Sequence, residues 1–163
     1  GFIAVVPYFS KDSFPGSDRY NLGHVFDPDT GGERPAAQWT FAAIEPLFDA
    51  VVERIGGVQA AYTLFGHSAG AQFVHRFLYY VPGARVERAI AANAGWYTMP
   101  DFDVAYPYGL GDSGVTEAQL AEALEKDVVL LLGREDIMAK VLTWRCIVSR
   151  RRVRGGGRQH KYR

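Results

Sequence analysis

The stretch YTLFGHSAGAQF, residues 62–73, changes character in its middle. An apolar run stops at Gly66-His67-Ser68-Ala69-Gly70, and what resumes has helical spacing, with Phe73, Phe77 and Val81 on one face before Pro82-Gly83. Ala60 to Phe65 reads as a strand and Ala69 to Tyr80 as a helix, so Ser68 stands at a strand-to-helix turn. A Gly-x-Ser-x-Gly match is weak by itself, because glycine and serine are common in turns. In this context it has the form of a sharp corner that holds a serine in a strained backbone conformation, where side chains at positions 66 and 70 would collide. The serine then projects beyond the strand's carboxyl end. The helix opening at Ala69 turns its free amides and positive dipole end toward the same place, which suits a developing oxyanion. Ser68 is therefore the candidate nucleophile; the competing reading is a turn with an incidental serine.

Outward from this corner, apolar runs alternate between two periods. Toward the N-terminus, Phe2 to Val6 reads as a short buried strand closed by Pro7. Residues 10–38 are rich in Gly, Pro, Asp and Ser and read as a long loop. Phe41, Ile44, Phe48, Val51, Val52 and Ile55 share a helical face that Gly56-Gly57 ends; Pro46 either kinks this helix or sets its true start near Ile44. Toward the C-terminus, Val86 to Ala92 is a buried strand, Thr116-Glu-Ala-Gln119 has the form of a capping box opening a helix to about Lys126, and Val128 to Leu132 is a last strand. Strands alternating with helices predict an α/β fold, a mostly parallel sheet flanked by helices.

Composition bounds the possibilities. With 163 residues, 48% hydrophobic and 22% charged, the chain has the make-up of one globular domain. Zero formal net charge gives no whole-chain reason to expect nucleic acid or an anionic membrane, and no run of about 18 apolar residues spans a bilayer. The single cysteine, Cys146, excludes an internal disulfide framework and offers no metal cluster, and no cofactor is expected. Charge is unevenly placed: all 18 acidic residues precede position 141, whereas 141–163 carries 8 of the 18 basic ones.

The segments FGHSAGAQFVHRF, AANAGWYTMP and LLLGRED together resemble the α/β-hydrolase family, and are similar to bacterial esterase or polyhydroxybutyrate-depolymerase-like members. The likeness runs over residues 1 to 136. It implies Ser68 as nucleophile, the Ala69 backbone amide as an oxyanion donor, Gly66 and Gly70 as the elbow glycines, and Asp136, after the last strand, as the acid of a triad. Asp101, Asp103 and Asp112 are rivals for that acid. It implies further that earlier strands and a second oxyanion loop of the family come before the strand at 2–6, and that one more strand lies between 2–6 and 60–65; with the likeness ending after Asp136, the chain is expected to be an α/β-hydrolase-like domain truncated at both ends, with a partial domain over 1–140. The two strands then either close up or leave apolar edges unpaired, which would favour self-association.

The base is the open question. His67 precedes the nucleophile and points away from it; His75 lies two turns into the next helix; His24 sits in the long loop. Only His160 follows Asp136 in the family's order. Either 143–149 forms another strand and a glycine-rich turn delivers His160 to Ser68, or the arginine-rich stretch 141–163 does not belong to this fold. Eight basic residues with no acid and no apolar period favour the second, and predict a disordered tail. A shifted reading frame would produce so abrupt a change.

Three functions are compatible with these residues. The first is hydrolysis of small-molecule or polymeric carboxylic esters through an acyl-enzyme on Ser68. Tyr8, Phe9, Trp96, Tyr97, Met99, Tyr106 and Tyr108 would wall such a site, or else simply cover the core. The second is a non-catalytic remnant or binding module of the same fold. The third, a basic arm for nucleic acid, ranks last because no folded recognition motif accompanies it.

Overall fold

The computed structural model describes residues 1–133. Asp136, Cys146, His160 and the whole of 141–163 lie outside the described residues. In chain order the elements are α1 (Gly16–Arg19, one turn), α2 (Ile44–Ile55), β1 (Tyr62–His67), α3 (Ala69–Tyr80), β2 (Val86–Ala92), α4 (Glu117–Glu125) and β3 (Asp127–Leu131). The strands form one sheet in the order β1-β2-β3, parallel throughout, with Leu64 opposite Ala89 and Ala89 opposite Val128. Parallel neighbours require crossovers, and α3 and α4 supply them. The expected α/β architecture of helices about a parallel sheet is thus present.

Local chemistry accounts for the boundaries. Pro46 is the third residue of α2, where its missing N–H would have had no helical partner, so the helix starts at Ile44 rather than kinking. Gly56 ends it in the left-handed conformation at φ 61, and Gly57 N–H returns to the Val52 carbonyl at 2.8 Å. Thr116 opens α4 through a reciprocal capping box: its hydroxyl accepts from Gln119 N–H at 3.2 Å and its own N–H donates to Gln119 Oε1 at 2.9 Å.

Helix α3 is the centre of the molecule. Nine of its twelve residues are buried, including Phe73, Val74, Phe77 and Leu78, and Ala89 and Ala91 of β2 keep no exposed surface beneath it. Phe41 stacks on Tyr80 at 5.6 Å and meets Phe73 edge-on at 4.9 Å, which pins the segment before α2 across the helix. No described helix covers the face of the sheet that carries Phe65, which is 61% exposed.

One expected element is absent. Phe2–Val6 forms no strand: Phe2 is 91% exposed, and the ladder of the described sheet ends at β1. An apolar run becomes a strand only when a neighbour takes its hydrogen bonds, and β1 does not close up to provide one. Of the two alternatives for the sheet, closure of 2–6 onto β1 is not found, and among the described residues the β1 edge has no neighbour.

Candidate active site at the Ser68 elbow

Strand β1 ends at His67, and the chain turns at once into α3 through Ser68, whose φ of 56° and ψ of −116° lie outside the regions side-chain-bearing residues ordinarily occupy. The turn is held from the sheet side, where Ser68 N–H donates to the Ala92 carbonyl at 2.9 Å. It is held from the helix side by Gln72 N–H, which donates to the Ser68 carbonyl at 3.1 Å. A β-carbon on Gly66 would overlap the Gly70 carbonyl group and come 2.8 Å from Ala71 N, so this corner exists only with glycine at 66. Gly70 differs from expectation: a β-carbon there meets nothing nearer than the Tyr20 hydroxyl at 3.5 Å, an ordinary contact. Steric exclusion therefore acts at 66, not at 70.

The Ser68 hydroxyl makes no capping bond, although serine commonly caps a helix in this position. It is exposed, and among the described residues it has no hydrogen-bond partner. The Ala69 N–H, first amide of α3, has no acceptor among them either, so a donor and a hydroxyl stand side by side at the positive end of a three-turn helix.

The three described histidines engage elsewhere. His24 Nδ1 lies 3.0 Å from Asp18 Oδ2. His67 Nε2 lies 3.4 Å from Asn93 Nδ2. His75 is buried between the Ala71 carbonyl, 2.9 Å from Nδ1, and Thr98 N–H, which donates to Nε2 at 2.9 Å; burial, with the Arg76 charge beside it, pulls its pKa down to about 3. Its ring is neutral with the proton on Nδ1 and ties α3 to the loop after β2. Of the rival acids, Asp101 uses Oδ1 to accept Asp103 N–H at 2.8 Å, while Asp103 and Asp112 are exposed.

Asn93 terminates β2 at φ 48, and its Oδ1 accepts Gly133 N–H at 2.7 Å while its own N–H reaches the Leu131 carbonyl at 2.8 Å. It therefore clamps the end of β3 beside the elbow. The aromatic residues divide: Tyr97 and Tyr106 pack inward against His75 and Tyr80, Tyr8 is exposed, and Trp96 and Tyr108 stand together at 4.9 Å.

Sequence reasoning missed a polar stripe beneath the site. Asn21 Nδ2 donates to Gln72 Oε1 at 2.6 Å, and Arg76 donates to Thr98 Oγ1 at 2.8 Å, to the Asn21 carbonyl at 3.0 Å and to Gln72 Oε1 at 3.3 Å. The signal was available: Gln72 and Arg76 follow Ser68 by four and eight residues, hence on its own face of an otherwise apolar helix. Burial lowers Arg76 to about 10, so it stays charged at neutral pH.

A parallel sheet with a serine on a strained strand-to-helix corner is the construction of the α/β-hydrolase type, and the chain is of that type. It is similar to the solved structure of poly(aspartic acid) hydrolase-1 from Sphingomonas sp. KT-1, at 51% identity and a TM-score of 0.75 over 78% of this chain and 48% of that one. It is similar also to LpqC, a poly(3-hydroxybutyrate) depolymerase from Bordetella parapertussis, at 38% identity and a TM-score of 0.74 over 80% of this chain and 44% of that one. The chain thus spans about half the length of these structures. No protein-family model and no curated protein matches it.

Proposed function

We propose that the chain carries the nucleophile half of a serine hydrolase acting on carboxylic esters, including polymeric ones. The observation that carries this reading is the strained Ser68 backbone, with an exposed hydroxyl and the neighbouring Ala69 amide both lacking a partner among the described residues. Ser68 Oγ attacks the acyl carbon as a base takes its proton; the carbonyl oxygen becomes an anion held by the Ala69 N–H. The leaving alcohol departs with that proton, and water then releases the acid from the acyl-enzyme. Asp136 is the proposed orienting acid. The Asn93 clamp on Gly133 supports that role, because it brings the chain to the elbow three residues before Asp136. His160 is the candidate base. The two similar enzymes are named for a polyamide and a polyester, both opened at an acyl carbon, and an apolar half-exposed Trp96 favours the ester.

A second reading rests on a specific observation: no described histidine ring is hydrogen-bonded to the Ser68 hydroxyl, as a non-catalytic remnant of the fold would have it. A fluorophosphonate probe separates the two. Covalent labelling of the wild-type chain that Ser68→Ala abolishes is the expected result; a folded wild type that takes no label favours the remnant. Loss of ester turnover in His160→Ala identifies the base.

A further inference from the structure

Arg76 is fully buried, yet no carboxylate pairs with it among the described residues. A buried guanidinium with neutral partners is costly, and an apolar side chain would commonly stabilise the same space better. What the charge supplies instead is reach. Its Nε holds Thr98 Oγ1, its Nη1 holds the Asn21 carbonyl together with the carbonyl and side chain of Gln72, its Nη2 has no hydrogen-bond partner among the described residues, and its Cζ lies over the Trp96 ring, 4.0 Å from the centroid. Those acceptors belong to three separate segments. The loop carrying Asn21 places the Tyr20 hydroxyl over Gly70; the loop carrying Trp96 and Thr98 leaves β2 where Ala92 holds Ser68 N–H; and Gln72 holds the Ser68 carbonyl. One planar group thus sets both loops that flank the elbow.

We infer that Arg76 is a positioning residue for acyl recognition: it fixes half-exposed Trp96 and Tyr20 on the two loops that meet the elbow at Ala92 and at Gly70, so that a bound acyl chain meets aromatic surface. This rests on the hydrolase reading above. Three acceptor segments and an aromatic ring about one side chain call for the several directed donors of a guanidinium; lysine offers only a point charge.

The test compares 4-nitrophenyl octanoate with 4-nitrophenyl acetate, using wild type, Arg76→Lys, Arg76→Met and Trp96→Leu in the full chain. The octanoate-to-acetate ratio of kcat/KM should fall about tenfold in all three variants, carried by KM for octanoate. In a Trp39→Phe, Trp144→Phe background, acrylamide quenching of Trp96 should rise at least twofold in Arg76→Lys and Arg76→Met. An unchanged ratio, or equal losses on both esters with unchanged quenching, overturns the proposal. Should Arg76→Met not fold, Arg76→Lys and Trp96→Leu decide alone. If wild type shows no Ser68-dependent turnover the hydrolase reading fails, and quenching still reports whether Arg76 sets the wall.

Discussion

At the level of single residues, the two elbow glycines should respond in opposite ways. Gly66→Ala forces a β-carbon into the Gly70 carbonyl, and is expected to cost about 2–4 kcal/mol in urea unfolding, in the range reserved for strain and overpacking. Gly70→Ala meets only ordinary contact and gains helix propensity, so it should be neutral or stabilising by up to about 1 kcal/mol. His75 predicts a pH dependence. Its pKa is about 3 in the folded chain against an ordinary 6.5, so between those values the unfolded chain binds a proton that the folded one does not. Stability therefore falls as pH falls: lowering pH from 7.5 to 5.0 should remove about 2 kcal/mol through this residue, seen as a lower urea midpoint. A midpoint indifferent to pH over that span would show the ring to be accessible to protons.

Among elements, α3 and β2 were legible to the residue, because a full apolar face and a glycine–proline stop leave one reading, and α4 was legible through its cap. Thr116→Ala should accordingly cost about 1 kcal/mol, measured by thermal or urea unfolding. Strand β1 lies two residues later than its apolar run suggests, since pairing with β2 carries the ladder to His67. Phe2–Val6 was misread for a related reason: its residues have strand composition, but pairing is a property of two segments, and sequence pattern reports only one. The elbow was readable because Gly-x-Ser-x-Gly is a local constraint. The Asn21–Gln72–Arg76–Thr98 stripe was not read, because its partners lie 51 and 22 residues apart and polar residues in a helix first suggest a solvated face. The crowding expected at Gly70 is absent because a β-carbon there would meet no backbone across the turn, only the Tyr20 hydroxyl at 3.5 Å, whereas one at Gly66 would run into the Gly70 carbonyl.

At the scale of the molecule, the described residues form a three-stranded parallel sheet whose β1 edge has no neighbour among them and whose Phe65 is exposed, an unusual surface since parallel sheets are ordinarily covered on both faces. Concentration-dependent association is the expected behaviour in sedimentation velocity, and Phe65→Lys should shift the chain toward monomer with little effect on its unfolding midpoint. No helix of the described residues is long and apolar enough to cross a membrane. The elbow itself is built by residues 62–95 gripping one another, and it leaves Ser68 open to solvent. That openness invites chemical complementation: a small diffusible base can approach the hydroxyl from bulk solution. Titrating imidazole into His160→Ala should accelerate ester cleavage in a saturable manner beyond the background measured with Ser68→Ala, the diffusing ring taking the proton that a built-in base would otherwise receive.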